Sequence, residues 1–114
     1  MDLYTTQIYK SRNDPDLLDI TVKGKHPIGK VFAPSWDIVM GHKDGKYTDA
    51  QYISVYYTMM LDSYAKHRKV WDWVLAQPRV VLACYCPTGN FCHRHLLVEY
   101  LTSPNLGANY LGEL

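Results

Sequence analysis

Three cysteines, two histidines and an arginine fall within the twelve residues Cys84-Tyr85-Cys86-Pro87-Thr88-Gly89-Asn90-Phe91-Cys92-His93-Arg94-His95 of a 114-residue chain. A thiol, once deprotonated, serves as a nucleophile, a redox centre or a soft metal ligand. Imidazoles exchange protons near neutral pH, and a guanidinium grips phosphate or carboxylate through paired hydrogen bonds. The chain carries no Walker loop, no GxGxxG and no HExxH, so the chemistry to weigh is that of this cluster.

The flanking sequence says how such groups would be positioned. Arg79 to Cys84 is a continuous apolar, β-branched run, as expected of a strand buried on both faces in a partly parallel sheet. A turn at Pro87-Thr88-Gly89-Asn90 follows, and His93 to Leu101 reads as an amphipathic helix burying Leu96, Leu97, Tyr100 and Leu101. A strand that passes through a glycine-containing loop into a helix presents unpaired N–H groups and the positive end of the helix dipole. In open α/β sheets, ligands bind at this end of the strands.

Three readings of the cluster follow. In the first, Gly89 and Asn90 offer backbone donors, Arg94 anchors an anion, and Cys92 and His93 form a reactive pair. A helix start next to His93 and Arg94 is a setting that lowers a thiol pKa. Seven residues separate Cys86 from Arg94, against five in the thiol-phosphatase loop, so the match to those enzymes and to rhodanese-like sulfurtransferases is loose. In the second reading, Cys84, Cys86, Cys92 and His95 (or His93) supply the four ligands of a structural zinc, although the spacing fits no common zinc framework. In the third, the cluster is structural, with Cys84 in the wall of the core and Arg94 paired with Glu99 or a nearby Asp. Ser11 and Arg12 converge on the same cleft if the first strand lies beside the Cys84 strand; otherwise they fill a turn.

The remaining elements alternate strand and helix. Thr5 to Lys10 and Leu17 to Val22 read as short strands, and His26 to Val31 as loop. Ser35 to Met40 reads as a short helix with Pro34 in its first turn, ending at Gly41. Thr48-Asp49-Ala50-Gln51 has the form of a capping box. Tyr52, Val55, Tyr56, Met59, Met60 and Ser63 then recur at helical spacing as one apolar stripe. Lys66-His67-Arg68-Lys69 resembles a nucleic-acid patch but also suits a solvated helix end. His42 and Lys43 are expected in a solvated, glycine-bounded loop. Val70 to Ala76 reads as a further helix with Val70, Trp71, Val74 and Leu75 facing inward. The tail LGANYLGEL is weakly specified. Together these elements predict one small α/β domain over residues 1–114, with three or four strands covered by helices.

Composition narrows the function classes. The hydrophobic fraction is 47%, the charged fraction 20% and the formal net charge +1, which argues against a broad nucleic-acid footprint while leaving a local basic site open. The N-terminus has no apolar segment of signal-peptide length, and no run approaches a membrane span. Three cysteines cannot all pair within one chain. A cytoplasmic protein with reduced thiols and no membrane partner is expected. Ten tyrosines suit a core rim or a ligand cleft.

The phrase VVLACYCPTGNFCHRHLLVEYL resembles the C-terminal signature of the prokaryotic and phage domain-of-unknown-function-488 family, an apolar strand ending in Cys-Tyr-acidic and a Phe-Cys-His-Arg helix start. FAPSWDIVMGHKDGKYTDAQYISVYYTMML and the early IYKS extend the likeness over most of the chain. The resemblance implies a compact α/β domain with a site formed at least by Cys84, Cys92, His93 and Arg94; it supplies no activity. Cys86 stands where relatives carry a carboxylate, which strengthens the metal and disulfide readings.

Two functional expectations result. One is an anion site that holds a phosphate-bearing ligand, a nucleotide or a nucleic-acid end, and acts on it through Cys92, His93 and Arg94. The other is a non-catalytic binding or inhibitor protein for a macromolecular partner, with a structural or zinc-bound cysteine cluster. No cofactor is specified by the sequence.

Overall fold

In a computed structural model, described over residues 1–86 and 91–114, four strands form one parallel sheet. The strands are β1 (Asp2–Gln7), β2 (Leu17–Asp19), β3 (Arg79–Cys84) and β4 (Asn109–Glu113), in spatial order β2-β3-β1-β4. The helices are α1 (Trp36–Lys43), α2 (Asp49–Lys66), α3 (Arg68–Leu75) and α4 (His93–Leu101). The architecture is α/β, as the alternation of elements predicts. Parallel pairing brings the C-terminal strand ends to one edge of the sheet. Gln7 pairs with Cys84, Asp19 with Ala83, and Thr5 with Glu113.

Local chemistry explains the elements. The Thr48 hydroxyl accepts from the Gln51 N–H (3.2 Å) while the Gln51 side chain accepts from the Thr48 N–H (2.8 Å), so the capping box forms. Tyr52, Tyr56, Met60 and Ser63 are buried along α2, whereas Val55 is exposed and Met59 only partly covered. The stripe is thus narrower than its periodicity implies. It packs with Leu3, Leu18, Val80, Leu82, Trp71, Leu97 and Leu101 in the core. Tyr56 donates its hydroxyl to the Phe32 carbonyl (2.8 Å). Ser63 donates to Val31 (2.7 Å) and accepts from the Trp71 indole (3.0 Å). These bonds satisfy the polar atoms that an aromatic core brings inside.

Several expected boundaries move. The first strand spans Asp2–Gln7 rather than Thr5 to Lys10, because Ile8–Lys10 turns into a 3-10 helix. The second strand stops at Asp19, where the Asp19 carboxylate draws in the Thr21 N–H and hydroxyl (2.9 and 2.7 Å) and turns the chain. The expected loop after His26 contains a 3-10 turn at Gly29–Phe32. α1 begins after Ser35, its N-cap, and runs through Gly41 to Lys43. Gly41 lies inside the helix, and the Tyr47 ring packs where a Cβ would stand. The weakly specified tail forms β4 on the free edge of β1, with Gly112 at a positive φ of 124° next to a register shift. Lys66 and Arg68 pair with Asp62 and Asp72 at i,i+4, in keeping with a solvated helix end. Among the described residues no helix is long and apolar enough to cross a membrane.

Gly29 lies against β2, and a Cβ there would sit 1.8 Å from the Asp19 carbonyl oxygen. Gly29→Ala is therefore expected to lower stability by about 1–3 kcal/mol, as overpacking against backbone does, measured by urea unfolding. Arg79 binds Asp14 through two bonds of 2.8 and 3.0 Å. The Arg79 hydrogen bond holds the Asp14 carboxyl below its ordinary 3.8. Its contribution is present above the unfolded-state pKa, about 3.9, and fades as pH falls through the lower folded value. The melting-temperature gap between the native chain and Asp14→Asn is thus expected to be open at pH 7 and to close below about pH 4.

Candidate functional site

The cysteine cluster lies at the C-terminal end of β3, beside the ends of β1, β2 and β4. Cys84 is the last residue of β3, Cys86 follows two residues later, and Cys92 is the N-cap of α4, in extended conformation. The three sulfurs lie within 4.8 Å of one another, with Cys84 Sγ and Cys92 Sγ 2.6 Å apart. Cys84 and Cys92 are buried, whereas Cys86 is half-buried.

Arg94 is fully buried behind this trio. Its Nε and Nη2 donate to the two Glu113 carboxylate oxygens (3.2 and 2.8 Å). Its Nη1 donates to Cys84 Sγ (2.8 Å) and to the Cys86 carbonyl (2.9 Å). The expected role of Arg94 as an anion anchor is corrected: a carboxylate of β4 and the thiol cluster take its donors. The structural pairing with Glu99 is corrected as well, since Glu99 accepts instead from the Tyr57 hydroxyl (2.7 Å).

His93 is buried and donates Nε2–H to the Ile20 carbonyl (2.7 Å), fixing the turn after β2 against α4. Its Nδ1 faces Cys92 Sγ at 3.8 Å, and burial lowers its pKa, which keeps the ring neutral. His95 is not among the clustered ligands, so the proposed Cys84-Cys86-Cys92-His95 set reduces to three cysteines among the described residues. Burial also lowers its pKa, with Arg94 adding to the shift.

Three thiols this close cannot all ionise, because like charges repel. The trio therefore titrates as a unit. Hydrogen bonds from Cys84 and Cys92 pull the Cys86 pKa far down, with His93 and Arg94 adding to the effect. The Cys84 and Cys92 values move up, because each is a donor in the same bonds. Arg94 Nη1 donates to Cys84 Sγ, so the guanidinium too favours thiolate character in the trio, and the half-buried Cys86 is the member whose pKa falls. Burial works against the Arg94 charge, and the Glu113 and Cys84 bonds outweigh it, so its pKa rises.

A cleft of about 290 Å³ opens over the trio. Trp36, Tyr52, Tyr85, Phe91 and His42 form much of its wall, with Lys23 and Lys43 also lining it. His42 stacks on Phe91 (4.7 Å between centroids) and meets Tyr52 edge-on (5.3 Å). Its Nε2 bonds Asp49 Oδ1 at 2.5 Å. The expectation of a loop for His42 and Lys43 is corrected, since both belong to α1 and line the cleft; Lys43 is exposed as expected, whereas His42 is half-buried. Ser11 and Arg12 are adjacent to the cleft but do not line it. Ser11 bonds Thr6 (2.9 Å), and Arg12 covers Tyr9 (5.1 Å), which packs on Tyr85 (5.5 Å). Gly89 and Asn90, the expected backbone donors, lie outside the described residues.

Sequence reasoning missed Glu113, Trp36, Tyr52 as a cleft wall, His42, and the Lys23–Lys43 pair. Their sequence positions lie far from the cluster, and no short-range spacing marks them. The capping box was the one usable signal, since it fixes Asp49 at the helix start next to His42.

Removing one partner of a buried ion pair leaves the other charge uncompensated. Glu113→Ala is thus expected to lower stability by roughly 3–5 kcal/mol, read from chemical denaturation. Cys84 and Cys92, buried in the native chain, should then react faster with a thiol reagent, since a destabilised domain opens more often.

No curated protein and no solved structure matches the chain. A family model does, that of DUF488-N3a, described as the active DUF488-N3 subclade, and it spans residues 4–105. That span runs from within β1 through α4 and takes in all three cysteines, and with it the chain belongs to the DUF488 family.

Proposed function

We propose that the cleft binds a single nucleotide-type ligand, base inward and phosphate outward, with Cys86 as the thiol that meets it. The carrying observation is the cleft itself, with aromatic walls, lysines in its lining and three thiols together in its floor. A volume of about 290 Å³ lies at the lower end of the roughly 300–1,000 Å³ typical of ligand pockets. It accommodates one base with its sugar and has no room for a dinucleotide. Aromatic faces stack on any base, contributing about 1–3 kcal/mol each, and Trp36, exposed in the cleft lining, offers such a face.

Lys23 and Lys43 give the phosphate its positive partners. Lys23 Nζ stands 4.2 Å from the centre of the Trp36 ring, so the cation and the stacking surface are presented together. In this reading Cys92, His93 and Arg94 act from behind Cys86: Arg94 and Cys92 hold the charge of the thiol cluster, and His93 holds the turn that carries Thr21 and Lys23. A free nucleotide and the terminal nucleotide of a nucleic acid share this chemistry.

The test is a titration of the full chain with nucleosides, nucleoside monophosphates and a 5′-phosphorylated oligonucleotide, followed by tryptophan fluorescence. Trp36→Ala is expected to weaken monophosphate binding about tenfold or more, and Lys43→Ala to weaken monophosphates while sparing nucleosides. Tighter binding of the oligonucleotide would identify a nucleic-acid end as the ligand. Absence of binding at millimolar ligand, or equal binding by Trp36→Ala, would overturn the reading.

A further inference from the structure

We propose that Cys84, Cys86 and Cys92 form a binding site for one thiophilic metal ion, Zn²⁺ in kind, with the ion's remaining coordination position open to the cleft. This inference does not depend on the nucleotide reading and stands or falls on the metal alone.

The geometry carries it. Zn–S bonds of about 2.3 Å at tetrahedral angles set ligand sulfurs about 3.8 Å apart. The three sulfurs already lie within 4.8 Å of one another. The Cys84–Cys92 pair, at 2.6 Å, must spread by about 1.2 Å to reach that spacing. Two of the ligands are anchored by the fold, Cys84 at the end of β3 and Cys92 at the N-cap of α4. The third, Cys86, is half-buried between them. All three line the cleft, so an ion on their shared face borders the cleft space, where water or a ligand atom completes its shell.

The donor set gives the ion's class. An all-sulfur face selects Zn²⁺ or Cu(I) over Mg²⁺, Ca²⁺ or Mn²⁺, which take oxygen. The surroundings fit a metal thiolate as well. Arg94 Nη1 donates to Cys84 Sγ at 2.8 Å, the kind of outer-shell bond that orients a ligand. Glu113 already balances the guanidinium, so Arg94 brings little net repulsion to the cation. His93 stays out of the clustered ligand set among the described residues: its Nε2 is committed to Ile20, and its Nδ1 stands 3.8 Å from the Cys92 sulfur. Binding releases the thiol protons to solvent, and the ion relieves the repulsion that otherwise keeps three adjacent thiolates from coexisting.

The experiment titrates the reduced full chain with Zn²⁺ against a chromophoric chelator, and with Co²⁺ for its spectrum. Expected are one Zn²⁺ per chain, a sulfur-to-cobalt charge-transfer band, and protection of Cys86 from iodoacetamide by Zn²⁺. Cys86→Ser, the cysteine least built into the core, should keep its circular dichroism. It should lose affinity beyond the roughly 10–100-fold that loss of an outer-shell partner brings. His95→Ala should bind as the native chain does. No zinc uptake by fully reduced protein would overturn the proposal, as would unchanged uptake by Cys86→Ser. So would loss of zinc in His95→Ala, which would place the ion elsewhere.

Discussion

A guanidinium with no access to solvent has to find partners for its charge and its donors inside the protein, because desolvating an unpaired ion costs several kcal/mol. Arg94 is such a group, and its partners define the site end of the fold. Glu113 comes from β4, the Cys84 sulfur from β3, the Cys86 carbonyl from the segment beyond it, and Arg94 itself from α4. Four parts of the chain are thus tied to one planar fork. Glu113 and Cys84 lie on the two strands that flank β1, so the fork also spans the width of the central strand. A lysine could not replace it, having a single nitrogen and no fork.

His93 does the corresponding work on the other side. The next residue back along α4, it faces away from Arg94 and fastens the Ile20 carbonyl. The turn it holds carries Thr21, Val22 and Lys23 into the cleft lining. Because desolvation keeps the ring uncharged, this link adds no positive charge beside the thiols. Among the described residues no buried side-chain nitrogen or oxygen lacks a partner. The polar groups at this end of the sheet are therefore a satisfied network, and such networks are rigid. Adjacent helix positions point about 100° apart, which is how one first turn serves two opposite tasks.

The parts of this arrangement that were legible in the sequence are those encoded locally. β3 and α4 have the bounds their hydrophobic patterns predict, and the cap of α2 forms as its four residues specify. β4 was not legible because its stability is borrowed. Asn109 bonds Met1 and Leu114 bonds Thr5, contacts from the opposite end of the chain that leave no period in LGANYLGEL. The role of Glu113 was hidden for the same reason, and with it the fate of Arg94. A basic residue at a helix start next to thiols looks like a ligand-binding group until a carboxylate nineteen positions away is seen to fill it. The cleft walls were illegible because Trp36, His42, Tyr52 and Phe91 meet only through the packing of α1 on α2 and the entry to α4.

The distribution of charge around the cleft also constrains how any anionic ligand can lie. The floor carries thiolate character on Cys86, whose pKa its thiol neighbours hold far down, and Arg94, which would offset it, is already balanced by Glu113. A phosphate placed on the floor would meet that charge in surroundings that are largely apolar and of low polarisability, where repulsion is least screened. The lysines that line the same cleft give a phosphate a place away from the floor. An uncharged, polarisable ring suffers no such penalty at the thiols and gains from the aromatic walls. For the ligand proposed above, the same physics gives an orientation without any contact that reads its identity: flat and neutral end down, anionic end out. Three thiolates around one Zn²⁺ still leave a net negative charge on the floor, so the preference for this orientation holds with the ion bound. The three sulfurs thus set which end of an entering ligand meets the floor, with or without a metal.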